Sequence, residues 1–266
     1  VHPLAALRLA PAQAAAWGHP VTSGLPSIDR WLSCADMEPA EGALHYRERL
    51  HLLPGLGTCY ARPARAAALA PAELGLPPGR HVYLAPHAPV KLHPDVDTLL
   101  ARIAAADRAA CIVMFEDGAP ALSARLRARM RRCFDEHGVN LDHHLVWLPR
   151  AAPERFRAVL RASDVLLDTP GFSGGNTSLD AIAQALPLVA LPGSTMRSRQ
   201  SAAMLRLCGV PELVAGSADD YVALALRVAN DADWRQALQQ RLDHGAATLF
   251  DDAAPLAALT QEAGGW

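Results

Sequence analysis

Between about His81 and Ala215, short runs of Val, Leu and Ile alternate with segments of helical spacing. The apolar runs are "HVYLAP", "ACIVMFED", "HHLVWLP", "DVLLDTP" and "PLVALPG", and "HPDVDTLLARIAAAD" and "TSLDAIAQAL" are among the segments between them. Apolar runs without polar alternation suit strands covered on both faces, as in a parallel sheet. Strand–helix–strand units wind in a right-handed sense. The pattern therefore predicts an α/β fold built on a doubly wound parallel sheet. "ELVA" is expected to add a short strand, and one or two helices to close the chain.

The first 80 residues are less regular. Leu9 to Trp17 reads as a strand or buried apolar segment, followed by the turn-rich loop "GHPVTSGLPSIDRWLS". "HYRERLHLLPGLG" reads as a short helix or turn and then a strand. Ala61 to Pro78, rich in Ala and Pro with weak helical character, is the best boundary. The 266 residues allow one large domain or two modest ones. With 5% aromatic residues, the core must rest on Leu, Val and Ala.

Composition also narrows the function. A net charge of -2 argues against a nucleic-acid partner. No apolar run approaches the ~20 residues of a membrane span, and no basic-then-apolar leader opens the chain. The five cysteines form no C-x-x-C pair, which argues against a disulfide framework or zinc site and fits a reducing cytoplasm. The first residue is Val1, not Met, so the chain is expected to be part of a longer protein.

In such a sheet, ligands bind beyond the carboxyl ends of the strands. The loop in "LLDTPGFSGGNTSLDAIAQAL", from Leu166 to Leu186, lies there. Gly174 and Gly175 would let a backbone approach a ligand closely. The following helix offers free N–H groups and a positive dipole end to an anion. Asn176, Thr177 and Ser178 add donors, and Asp180 is placed to accept from a sugar hydroxyl. The same residues also read as a plain helix cap, with Thr177 as N-cap and Asp180 three residues on. Lys91 follows strand "HVYL" and would face the same crevice, suited to neutralising a diphosphate. Arg197 and Arg199 begin a helix near that crevice. His19 sits in a Gly/Pro turn and suits proton transfer or phosphate binding. The arginines of "RLRARMRR" read as a solvated helix face.

"RLAPAQAAAWGHPVTSGLPSIDRWLS", "HYRERLHLLPGLG", "SDVLLDTPGFSGGNTSLDAIAQALPLVALPG" and "MRSRQSAAMLRLCGVPELVA" occur in this order. Together they resemble the C-terminal catalytic region of the O-GlcNAc transferase/SPINDLY family, especially its bacterial members. The resemblance implies a GT-B fold, two Rossmann-like lobes with a nucleotide sugar between them. It implies an inverting glycosyltransferase that moves a sugar to Ser/Thr of an acceptor protein or peptide, with no metal and no cofactor beyond the donor, UDP-GlcNAc by resemblance. Residues 1–60 would be the end of the N-terminal lobe, 61–78 a linker, 79–240 the C-terminal nucleotide-sugar-binding lobe, and 241–266 a C-terminal helix and tail. The last helix, about 235–262, would return toward the first lobe.

By the same resemblance, Lys91 binds the diphosphate, Asn176 and Thr177 contact the phosphates, and Asp180 holds the ribose. Ala151 and Pro153 frame the base. His19 stands where the family has a tyrosine, and is the candidate for proton transfer. Gly175 and Phe156 stand where animal members have histidines, which leaves GDP-fucose or UDP-glucose open as donors. A non-catalytic lobe that binds a nucleotide or a partner, an epimerase and a lipid-linked sugar transferase also stay open.

Overall fold

A computed structural model of the chain describes residues 2–263. Val1, the first residue of the expected N-terminal lobe, and 264–266, the end of the expected tail, lie outside the described residues. The strands are β1 (Ala14–Ala16), β2 (Arg30–Cys34), β3 (Arg49–Leu53), β4 (His81–Leu84), β5 (Ala110–Phe115), β6 (Leu145–Leu148), β7 (Val165–Leu167) and β8 (Leu188–Val189). The helices are α1 (His2–Ala5), α2 (Pro94–Ala106), α3 (Pro120–Glu136), α4 (Leu141–His144), α5 (Pro153–Ala162), α6 (Asn176–Ala183), α7 (Gln200–Leu207), α8 (Ala218–Asn230), α9 (Ala232–Gly245) and α10 (Ala254–Ala263).

Two parallel sheets result. A three-stranded sheet has the order β1-β2-β3, and a five-stranded sheet the order β6-β5-β4-β7-β8. In the larger sheet β4 lies between β5 and β7, with Tyr83 opposite Val165 and Leu84 opposite Leu166. The chain steps outward from β4 through β5 to β6, then returns to lay β7 on the other side. Right-handed crossovers send α2 and α3 to one face and α5 and α6 to the other. The connections after β4 and β7 therefore part from each other. A crevice opens at the carboxyl ends of these two strands.

Burial matches the unbroken apolar runs. Tyr83, Leu84 and Ile112 on the strands, and Leu100, Ile103 and Phe134 on the covering helices, are fully buried. One ion pair lies within this layer. Asp97 on α2, almost wholly buried, accepts from Arg129 on α3 at 2.7 and 3.0 Å. Of the arginines expected to form a solvated face, Arg129 is thus turned inward. Arg131 pairs with Asp142, and Arg127 lies 4.4 Å over the Trp147 ring and binds Glu116.

Several elements depart from expectation. The strand expected from Leu9 to Trp17 is only Ala14–Ala16, and Leu9 is exposed. β1 pairs with β2 alone, and Pro11 offers no ladder donor. "ELVA" forms no strand: Pro211–Leu213 is a 3-10 turn, leaving one bridge between Ala190 and Val214. The closing helix is two helices, α9 and α10. Between them Phe250 pairs in parallel with Tyr60, and Asp251 takes a φ of 57°. The 61–78 segment has no α-helix, only a 3-10 turn at Pro71–Leu74. It is strapped to the larger sheet's helices. Gln184 accepts from Ala66 N at 2.8 Å and donates to Ala64 O at 3.2 Å. Arg155 donates to Glu73 O at 3.0 Å, and Arg161 donates to Ala66 O.

Candidate functional site

The crevice between the ends of β4 and β7 holds the core of the site. After β4 the chain makes a 3-10 turn at Pro89–Lys91, which fixes the base of the lysine. The Lys91 ammonium donates to Ser173 O at 2.9 Å and lies 4.3 Å from the centre of the Phe172 ring. Burial lowers its pKa, and the Asp168 carboxylate opposes that effect. Lys91 and Phe172 line a cavity of about 690 Å³ with Val90, His93, Pro170 and Arg197.

The loop after β7 is held from beneath. Asp168, buried at the end of the strand, accepts the Gly174 amide at 2.7 Å. The Ser173 amide donates to Arg197 O at 2.8 Å, and Thr169 Oγ1 donates to Phe172 O at 2.7 Å. His87, from the same connection as Lys91, is buried beside this frame with Nε2 3.4 Å from Asp168 Oδ1. Ser173 and Ser201 are wholly buried.

Helix α6 begins at Asn176, with Gly175 as its N-cap and no side chain capping it. The cap expected from Thr177 is therefore displaced: Thr177 is already inside the first turn. The helix keeps its first N–H groups open, which favours an anion. Gly174 is a glycine for a different reason than expected. A Cβ there would overlap the Ser178 hydroxyl and lie 3.1 Å from the His87 ring. Its close approach is to the protein interior. Gly175 faces the first sheet, where a Cβ would meet Gln200 Oε1 at 3.4 Å and the Trp17 ring at 3.6 Å. Ser178 also points inward, with its hydroxyl 2.8 Å from that of Ser201. Asn176 is exposed and Thr177 half-buried.

Asp180 lies on α6 at a second, smaller cavity of about 170 Å³, with Tyr60, Pro63, Asn176 and Phe250. Burial raises its pKa, and Arg157 opposes this. Lys91 and Asp180 thus flank the α6 N-terminus from separate cavities. Ala151 and Pro153 lie after β6, at the sheet edge, and Pro153 opens α5. They do not line the Lys91 cavity. Phe156 on α5 packs 5.4 Å from Phe115, at the end of β5. His19 is exposed just beyond β1, two residues after Trp17, whose carbonyl accepts from Gln200 at 3.4 Å.

The sequence pattern of glycosyl transferase family 41 matches residues 94–254, which include β7, the loop and α6. The chain belongs to this family. A UDP-N-acetylglucosamine–peptide N-acetylglucosaminyltransferase of Caenorhabditis elegans is 36% identical over 124 residues, 46% of the chain and 11% of the relative. A probable SPINDLY enzyme of Solanum lycopersicum is 28% identical over 228 residues, 85% of the chain and 24% of the relative. Among solved structures, a lysine-to-methionine variant of the Thermobaculum terrenum O-GlcNAc transferase aligns with a TM-score of 0.82 and 26% identity. That match covers 96% of this chain and 48% of the other. The chain thus spans at most about a quarter of the length of these two curated relatives and half of the structural one. The parallel sheets have a GT-B-type arrangement, as in that solved structure. Among the described residues, no helix is long and apolar enough to cross a membrane.

His87, Asp168, Phe172 and Gln200 are the site residues that sequence reasoning passed over. Asp168 was visible as an acid closing an apolar strand at a binding edge. Gln200 bonds to Trp17 across 183 positions of sequence, and no local pattern carries such a contact.

Proposed function

We propose that the chain forms the nucleotide-sugar-binding part of a protein O-GlcNAc transferase-like enzyme, an inverting glycosyltransferase that moves GlcNAc from UDP-GlcNAc to Ser/Thr of an acceptor protein or peptide. One observation carries the reading: at the switch point of a parallel sheet, a half-buried lysine bonds to the loop that leads into α6, whose N-terminus no side chain caps. Membership of family 41 supports the same reaction class.

The acceptor hydroxyl attacks the anomeric carbon as the bond to the diphosphate oxygen breaks, inverting configuration. Lys91, the Thr177 hydroxyl and the α6 amides stabilise the negative charge gathering on the leaving diphosphate. Asp180 takes a ribose hydroxyl, and Ala151 and Pro153 frame the base. His19 is the candidate acceptor for the hydroxyl proton. The reading uses no metal and no cofactor beyond the donor, and places the enzyme in the cytoplasm.

The test is transfer to a Ser/Thr peptide with UDP-GlcNAc, UDP-glucose and GDP-fucose in parallel, read by mass. A Lys91-dependent gain of one GlcNAc supports the reading. A gain from GDP-fucose alone reassigns the donor. Lys91-dependent UDP binding without turnover, both in this chain and in its longest natural form, makes it a binding lobe.

A further inference from the structure

Two cations stand over one aromatic ring in the main cavity, and among the described residues only Lys91 has a hydrogen-bond partner. Lys91 is 4.3 Å from the centre of the Phe172 ring and bonds to Ser173 O. The Arg197 guanidinium is 5.7 Å from the same ring and lines the same cavity. Its Nε is buried, and no hydrogen-bond acceptor meets it among the described residues. Arg197 also forms no ion pair among them. The one acid on the cavity wall, Asp95, is largely exposed and lies 3.1 Å from His93 Nδ1. The Arg197 backbone, in contrast, is fixed, because its carbonyl accepts the Ser173 amide at 2.8 Å.

A guanidinium is a rigid fork that matches phosphate oxygens with two donors. A buried donor left without an acceptor is costly. Here Arg197 lines a cavity whose other cation, Lys91, is the one assigned to a diphosphate in the donor reading. A monophosphate satisfies one cation of such a pair, whereas a diphosphate offers oxygens to both.

We infer that Arg197 is a second anion-binding residue of this site, reading the terminal phosphate of a nucleoside diphosphate and so separating diphosphate from monophosphate. The inference rests on the donor reading above. The phosphate ester next to the nucleoside falls to Lys91 and the α6 N-terminus, and the outer phosphate falls between Lys91 and Arg197.

The experiment is calorimetric titration of the full chain, Arg197→Ala and Arg197→Lys with UDP, UMP and inorganic pyrophosphate. Arg197→Ala is expected to weaken UDP and pyrophosphate about tenfold or more, the scale of a lost charge-assisted bond. UMP should change by less than about threefold, and Arg197→Lys should recover part of the loss. Circular dichroism melting confirms that each variant is folded. Equal weakening of UDP and UMP, or no weakening of either, overturns the inference while leaving the donor reading in place. Arg197-dependent pyrophosphate binding with no gain from the nucleoside supports the anion site and counts against the donor reading. No binding of any of the three by the parent chain overturns both.

Discussion

The Gly174 amide donates to Asp168 Oδ1 at 2.7 Å, so the strand's terminal acid holds the loop that follows it. Ser178 and His87 close in on the same glycine. Gly174→Ala is therefore expected to force this packing apart, at a cost of about 1–3 kcal/mol. Removing the overlapping hydroxyl with Ser178→Ala should recover part of that loss. Thermal melts of the two single variants and the double variant check the coupling. Strictly additive losses would remove the overlap as the cause.

Lys91 carries a prediction for ligand binding and pH. UDP at ~100 times its dissociation constant should add about 2.7 kcal/mol, a melting shift of roughly 5–10 °C at this size. Lys91→Ala should abolish most of the shift. Burial lowers the Lys91 pKa in the folded chain. Its charge is then lost at a lower pH than that of an unfolded lysine as pH rises. UDP affinity should fall as pH climbs from 7 toward about 10, and Lys91→Arg should flatten that fall. For the free protein the sign is opposite: stability from this group rises with pH between the lowered folded value and the unfolded one. Titrations and urea melts over this range separate the two effects.

Asp107 gives a stability prediction at the acid end. It bonds to His81 Nδ1 at 2.7 Å, the Tyr83 hydroxyl at 2.8 Å and the Ala109 amide at 2.8 Å. Burial pushes its carboxyl up, but these bonds outweigh it and hold the pKa below the usual range. The stability this group supplies is present above the unfolded value of about 3.9 and lost as pH falls through the folded one. Asp107→Asn should cost about 1–3 kcal/mol at pH 7 and progressively less as pH falls below the unfolded value, as urea unfolding across that acid range would show.

The Asp97–Arg129 pair predicts an asymmetry. Arg129→Ala leaves a buried carboxylate without its partner and should cost about 3–5 kcal/mol. Asp97→Asn combined with Arg129→Ala should cost less than Arg129→Ala alone. Denaturant midpoints for the set decide it. A double variant as unstable as the sum of the singles would mean that the pair is not coupled.

The larger sheet was legible in sequence because its strands carry one unambiguous signal, continuous apolar runs between helices of helical spacing. The place of the loop between β7 and α6 was legible for the same reason: a strand, a small-residue loop and a helix follow one another at the carboxyl edge of the sheet. Local patterns put the helix cap at Thr177 and read Ser178 as a ligand donor. A cap and a buried serine pair look alike until the partner is known, and for Ser178 the partner is Ser201. Gly174 was read as room for a ligand, whereas His87, far earlier in the chain, fills that room. The first sheet was the least legible part, since β1 is three residues long with one neighbour. Its contact with the site, through Trp17 and Gln200, is set by tertiary packing alone.

The parallel bridge between Tyr60 and Phe250 means that the chain's outward and return passages between the two sheets run side by side. Two adjacent passages make a seam that swings about one line and resists twisting. The Asp251 amide bonds to Tyr60 O at 2.7 Å along it, and the Trp17 ring meets the Tyr60 ring edge-on with centroids 6.4 Å apart. A cut just before Phe250 would leave both sheets intact. It would turn a two-pin hinge into a single tether, leaving the small sheet held by the Trp17 contacts with Tyr60 and Gln200.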